Sequence, residues 1–350
     1  MSRSSPPPSA SAASAAPPAS PAPPASAASA APAASPASAA SAASPASPAS
    51  PASAAPRLPA PLQPDLPAAE LLEAARRAAE GSVTEAPTGS VHVGVDLGTA
   101  YVVVAAVDGR GAPLAVASRF ASVVRDGVVV DFAGATVLVR ELVDEVEARL
   151  GVELTTAATT YPPGVAISEV RACRYVVEAV GLECTRLVDE PTAANAVLRI
   201  RDGAVVDVGG GTTGLAVLRD GEVVAVMDDA TGGTHVSLVI AGHLGISLEE
   251  AEARKTDPSQ QAGLFGVVRP VFDKIGTLVA EHLAVHEVDT IHLVGGTAAF
   301  PGIADVIAER TGVEVRLAPQ PLLVTPLGVA LHDPGHPAAH PLDTLEVGHG

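Results

Sequence analysis

Twice in this chain an apolar strand ends on an aspartate and runs straight into a glycine turn. The first instance is Val95-Asp96-Leu97-Gly98-Thr99. The second is Asp207-Val208-Gly209-Gly210-Gly211-Thr212-Thr213-Gly214. Each opens a three-strand meander, with strands predicted over 91–96, 101–108 and 114–120, and again over 204–208, 215–218 and 223–227. Asp220-Gly221 marks the second hairpin turn. Helices and single strands follow each meander. Helices are expected over 135–150, 168–180, 192–200, 234–244, 247–255, 265–282, 302–310 and 325–331. Strands are expected over 157–161, 185–189 and 290–294, and Asp126-Gly127 reads as a hairpin turn between 122–124 and 128–132. The pattern is an internal duplication of α/β type. Two such halves facing each other leave a cleft between them.

The turns state what the cleft holds. Gly98 lets the backbone come close to a ligand, and successive N–H groups there make an anion nest that needs no lysine. Taken alone, an aspartate and a glycine at a strand end also describe a plain turn. The second turn is harder to explain as a hairpin, because three glycines and two hydroxyls are costly to order. Close approach to a phosphate accounts for them. Asp96 and Asp207 then end strands on opposite walls, and two carboxylates beside a polyphosphate imply magnesium, with contacts through water. A third acid, Glu190, follows Asp189 at a strand end and precedes Pro191 and a small-residue helix. Val294-Gly295-Gly296-Thr297 ends a buried strand in a double glycine. It offers a flat wall for a purine or, equally, a glycine-rich turn.

Charge bears on partners. The chain has 350 residues with Lys+Arg 21 against Asp+Glu 39, and a net charge of -18. An acidic body does not track a phosphate backbone, so nucleic-acid and anionic-membrane binding are disfavoured. No apolar run is long enough to span a membrane. Cys173 and Cys184 make neither a disulfide framework nor a zinc cluster and read as buried thiols. Residues 2–56 are Ala, Pro or Ser except Arg3, which predicts a disordered tether over 1–57. A short helix over 68–80, capped by Asp65 and started by Pro67, and a linker over 81–90 lead to the α/β text at Val91. The helix reads as packed on its own domain, transient, or a docking element on a leash. His332, His336 and His340 sit among prolines, so 332–350 reads as a flexible tail.

In order and spacing these segments resemble the actin / heat-shock chaperone / sugar kinase ATPase superfamily. Asp96–Thr99 is similar to its first phosphate motif, 207–214 to the second and 294–297 to the adenosine motif. Segments 190–194 and 326–330 are similar to its connecting helices. Within it, Val123-Val124-Arg125-Asp126-Gly127, Tyr161-Pro162-Pro163-Gly164, Thr231-Gly232-Gly233-Thr234-His235, 246–255 and 321–328 resemble the ethanolamine-utilisation J family, a chaperone-like group tied to bacterial microcompartments.

The resemblance implies an actin-like ATPase domain over 91–331. It has two ribonuclease-H-like halves, about 91–195 and 196–331, around a nucleotide cleft. It implies ATP and Mg2+ as cofactors, with Asp96, Glu190 and Asp207 at the chemistry and Asp96 and Asp207 toward the metal. Gly98, Thr99, Gly209, Gly210, Gly211, Thr212, Thr213, Gly232, Gly233, Glu252, Lys255, Gly295, Gly296 and Thr297 would contact the nucleotide. The implied activity is a slow ATPase working as an ATP-gated clamp. The implied partner is ethanolamine ammonia-lyase or a shell protein, in the cytoplasm or at a microcompartment.

The departures point elsewhere. No lysine occurs in 128–150, where these chaperones place a catalytic one, and Arg140 is a loose substitute. Gly214 stands where a second aspartate is usual, and Ala299 where a basic residue stacks on adenine. A nucleotide-binding pseudo-enzyme, a scaffold or an actin-like polymer are the competing expectations. A small-molecule kinase fits least, given Glu190-Pro191.

Overall fold

The computed structural model describes residues 60–81, 87, 89–125, 127–163 and 167–337. The predicted tether, residues 82–86 and 88 of the expected linker, Asp126 of the first hairpin, Gly164 and the tail beyond 337 lie outside the described residues.

Helix α1 (Ala68–Ala79) comes first, followed by the antiparallel meander β1 (Ser90–Leu97), β2 (Tyr101–Asp108) and β3 (Pro113–Phe120). A small hairpin, β4 (Val124–Arg125) and β5 (Val128–Val129), precedes α2 (Phe132–Leu150). Then come β6 (Thr156–Tyr161), α3 (Ile167–Ala179), β7 (Glu183–Asp189) and α4 (Glu190–Leu198). The second half repeats the plan with β8 (Gly203–Val208), β9 (Thr213–Arg219) and β10 (Glu222–Asp229). Helices α5 (Gly233–Leu244), α6 (Leu248–Thr256) and α7 (Pro258–Leu283) follow, then β11 (Thr290–Val294), α8 (Ile303–Thr311), β12 (Glu314–Leu317), α9 (Val324–His332) and β13 (His336–Pro337). The strand orders β3-β2-β1-β6-β7 and β10-β9-β8-β11-β12 are the same path drawn twice, so the duplication is real.

Three large cores, beside a small cluster of Ala158, Val188, Ala193 and Val329, hold the described residues together. One lies between the first sheet and α2 and α3, a second between the second sheet and α5, α7 and α8. The third is shared: β2, β3, α1, α4, β8 and α9 meet in it. The halves touch most closely where α4 crosses α9. A methyl added at Gly328 would lie 1.8 Å from the Ala193 carbonyl oxygen. One added at Gly94 of β1 would lie 2.5 Å from the Ala330 nitrogen. Small residues are therefore what lets both helices lie between the sheets.

Several boundaries differ from expectation, each for a physical reason. The body opens near residue 60 rather than at Val91. Leu71, Leu72, Ala75 and Ala78 of α1 are buried in the shared core, and the Leu62 N–H donates to the Leu331 carbonyl at 2.7 Å. Asp65 does not cap α1. Pro67 takes that place, and Asp65 pairs with Arg110 at 2.7 Å instead. Helix α2 starts at Phe132 because the Asp131 carboxylate accepts from the Gly134 N–H, which shortens the expected strand over 128–132 to two residues. Helix α7 starts at Pro258, seven residues early. Asp257 caps it and proline fills the first turn, a signal hidden because Gln260-Gln261 breaks the apolar rhythm. Strand β12 is a short exposed edge with no apolar run, and was not expected.

The tail also departs from expectation. His332, Asp333 and His336 are buried, and β13 pairs with β1 through Val91 and His336. Flexibility predicted from Pro334 and Gly335 therefore does not extend over 332–337. Cys173 and Cys184 are buried, and loss of water pushes their thiols up to about 12 and about 11. Among the described residues, no helix is long and apolar enough to cross a membrane.

Candidate functional site

The C-terminal ends of β1 and β8 bring Asp96 and Asp207 to opposite sides of one cleft, and both line it. The Thr160 hydroxyl donates to Asp96 at 2.8 Å, and the Thr325 hydroxyl donates to Asp207 at 2.8 Å. Asp189 ends β7 and is spent as a cap, accepting from the Thr192 N–H at 3.0 Å. That leaves Glu190, the first residue of α4, to line the cleft. Loss of water pushes the Asp96 carboxyl up to about 7. The Asp207 charge adds to the shift and the Thr160 bond opposes it. Loss of water likewise pushes Asp207 up to about 6, against the Thr325 bond. Glu190 is raised well above its ordinary value, first by loss of water and then by the charges of Asp207, Asp96, Asp228 and Asp189. Loss of water thus raises all three carboxyl groups of the cleft above their ordinary values.

The two glycine turns meet across it. A methyl at Gly210 would lie 2.5 Å from Ala100 Cβ, and one at Gly211 would lie 2.6 Å from Thr99 Oγ1. Behind the second turn sits the start of α5. Its Gly233 and Thr234 N–H groups donate to the Gly209 and Gly210 carbonyls at 2.9 and 2.7 Å, and the Thr297 hydroxyl donates to the Gly209 carbonyl at 2.8 Å. A trans peptide points its N–H opposite to its C=O. With those carbonyls turned toward α5, the Gly210 and Gly211 N–H groups face the cleft and the first turn. They are oriented anion donors. The glycines are thus required by turn-against-turn packing.

Further along the cleft, α6 contributes Glu252 and Lys255, each 6% exposed and joined at 2.6 Å. Ser237 donates to Glu252 Oε2 at 2.6 Å, while Oε1 is buried without a hydrogen-bond partner. Burial pulls the Lys255 ammonium down, and the Glu252 charge opposes that shift. Gly295, at φ 94°, lies so close to Asp207 that a methyl there would be 2.2 Å from its Oδ1.

Most of the expected residues line one cleft: Asp96, Thr99, Glu190, Asp207, Gly209, Gly210, Gly211, Thr212, Glu252, Lys255, Gly295, Gly296 and Thr297. Four do not line it. Gly98 packs under Tyr101, Thr213 donates its hydroxyl to the Thr231 carbonyl at 2.7 Å, and Gly232 and Gly233 pack behind the second turn. Arg140 pairs with Asp144 on an exposed face of α2 and does not reach the cleft. Sequence reasoning missed Thr160, Thr325 and Asp228. Thr325 stands one residue before the Pro326-Leu327-Gly328 segment, a signal that was available. Asp228 pairs in register with Gly214 on the neighbouring strand, which no spacing rule reveals.

Known proteins share this fold. A family model described as type IV pilus assembly protein PilM matches residues 175–322. The ethanolamine utilization protein EutJ of Salmonella typhimurium strain LT2 is 43% identical over 239 residues, which are 68% of this chain and 84% of that protein. The crystal structure of EutJ from Carboxydothermus hydrogenoformans matches at TM-score 0.72 and 44% identity, covering 76% of this chain and 98% of that one. At 18% identity, MreB5 of Spiroplasma citri bound to AMPPNP shares the fold, with TM-score 0.56 over 69% of this chain and 95% of that one. Two sheets of one topology around an acid-lined cleft, joined to this degree of identity, place the protein: the chain belongs to the ethanolamine utilization protein EutJ family, on the actin-like ATPase fold.

Proposed function

We propose that the cleft binds Mg·ATP and that the protein is a nucleotide-gated clamp of ethanolamine utilisation. One observation carries the reading. Gly210 and Gly211, whose N–H groups point away from α5, line one cleft with three carboxyl groups, those of Asp96, Asp207 and Glu190. The donors suit phosphate oxygens. The acids suit a hydrated divalent cation, which keeps several waters and borrows phosphates as ligands. Among the described residues, no group of three His, Cys, Asp or Glu could hold a metal ion by itself, so Asp96 and Asp207 would hold magnesium jointly with waters and the triphosphate. The cation would supply charge neutralisation at the transferring phosphate. Glu190 or Asp207 would accept a proton from, or orient, the attacking water.

Gating follows from the turns. They already touch, so a terminal phosphate seated between them would part Gly210 from Ala100 and Gly211 from Thr99. ATP shifts the two halves only as far as it binds one arrangement better than another. The partner would be an ethanolamine-utilisation enzyme such as the ammonia-lyase, whose assembly or reactivation the clamp assists, or a microcompartment shell protein. The setting would be the cytoplasm or the microcompartment.

A second reading is a nucleotide-binding scaffold without turnover. It is favoured because, among the described residues lining the cleft, the cation present is Lys255, which is tied to Glu252. Phosphate release by the full chain after Mg·ATP is added, beside sedimentation with and without ATP, separates the readings. Slow release from a chain that stays monodisperse supports the clamp. Binding without release supports the scaffold, and ATP-dependent pelleting supports a polymer.

A further inference from the structure

The cleft continues into a second cavity of about 490 Å³, lined by Gly296 and Ala299 together with Arg76 and Ala79 of α1. The two cavities share Tyr101, Lys255, Thr256, Gly296, Thr297 and Leu322, so they are one groove with a phosphate end and a wider end. At the wider end the surface changes character. Leu322, Phe300, Ala299 and Ala79 give apolar faces, while Arg76 and Gln261 stand among them.

The helix wall is built rather than draped. Leu71, Leu72, Ala75 and Ala78 fix α1 in the shared core, where it packs on β3 and reaches the turn at 321–323. Arg76 is held in place on its own helix by Glu73 at 2.7 Å and by Glu80. A planar delocalised cation, pre-oriented by two carboxylates beside an apolar slot, suits the face or ring nitrogens of an aromatic heterocycle.

We propose that α1 forms the base-binding wall of the nucleotide site, with Arg76 as the residue that contacts the purine. This deepens the nucleotide reading above and rests on it. The family model and the phosphate turns do not include this helix. The segment that precedes the duplicated domain thereby becomes part of the ligand site, completed from both halves at once.

The test uses the full chain and two probes, Mg·ATP and Mg·tripolyphosphate, which carry the same phosphates with and without a base. The chain has no tryptophan, so a Glu80→Trp variant places a single reporter on the wall, with Glu73 still holding Arg76. Arg76→Ala is expected to weaken Mg·ATP about threefold to tenfold. It should leave Mg·tripolyphosphate affinity and the melting temperature as in the wild type. Emission of the Glu80→Trp variant is expected to fall with Mg·ATP and to stay constant with Mg·tripolyphosphate. Unchanged Mg·ATP affinity in Arg76→Ala, an equal loss of both ligands, or a silent reporter in a chain that still takes up Mg·ATP overturns the helix wall and leaves the phosphate site standing. Failure of the wild-type chain to take up Mg·ATP overturns both.

Discussion

Strand β1 carries buried acid chemistry toward both of its ends, and the two places are built in opposite ways. Near its start, Asp333 is 2% exposed. Its carboxylate accepts from the Val93 N–H at 3.0 Å, the Thr156 hydroxyl at 3.1 Å and the Thr185 hydroxyl at 2.8 Å. His92 and His336 close the surroundings through the Asp333 carbonyl and the Thr156 hydroxyl. At the far end, Asp96, Glu190 and Asp207 are crowded together and repel one another. A buried carboxylate surrounded by donors is a structural rivet. Carboxylates gathered with too little opposing charge store unfavourable energy that a cation and its ligand can release. The first place sews residues 333–336 to the sheet, and the second is where the proposed ligand would sit.

The largest effect that tests this contrast is loss of the rivet. Asp333→Ala removes the carboxylate that accepts from the Val93 N–H and the Thr156 and Thr185 hydroxyls, of which Thr185 also reaches the Ala157 carbonyl at 3.2 Å, and should cost about 2–4 kcal/mol of stability in chemical denaturation. A cost under about 1 kcal/mol would remove the distinction. Next is Asp207→Asn, which should weaken Mg·ATP by about a hundredfold or more while leaving the apo chain as stable as the wild type or more so at alkaline pH. Equal loss of stability and binding would make Asp207 another rivet.

The pH dependence sharpens the comparison further. The folded values of Asp96 and Asp207, about 7 and about 6, lie above the ordinary 3.8. The folded state therefore holds more protons than the unfolded one between those values. Stability from these groups is full below about pH 4 and is lost as pH rises from there through 6 to 7. Glu190→Gln should flatten this slope in melting curves of the apo chain. A stability that rises across that window would contradict the assignment.

The smallest effects come from the threonines. Thr185→Val should cost about 1 kcal/mol of stability and leave Mg·ATP uptake intact. Thr325→Val should weaken uptake by about threefold with little change in melting. An exchange of these two outcomes would reverse the roles given to the two ends of β1.

Much of the cleft is legible in the chain because it is written in local text. An apolar strand, an aspartate and a glycine turn are neighbours in sequence, and their repetition reveals two facing halves. Asp333 was not legible. It follows a helix end near prolines, and its donors come from Val93, Thr156 and Thr185, residues far away in the chain. Gly232 and Gly233, expected at the nucleotide, pack behind the second turn, which was not legible for a related reason. A glycine needed for packing against another turn has the same letter as one needed for a ligand, and only the fold shows which atoms approach. Helix α1 was legible as a helix, but its docking was not. Its apolar face of Leu71, Leu72 and Ala75 fits any surface until the shared core supplies one.

The most direct measurement is calorimetric titration of the full chain with ATP, once with magnesium and once with EDTA, in the wild type, Asp207→Asn and Asp333→Asn. The account predicts uptake that requires magnesium, disappears in Asp207→Asn and persists in Asp333→Asn even though that variant melts earlier. Uptake indifferent to EDTA and to Asp207, or no uptake by the wild type, would contradict it.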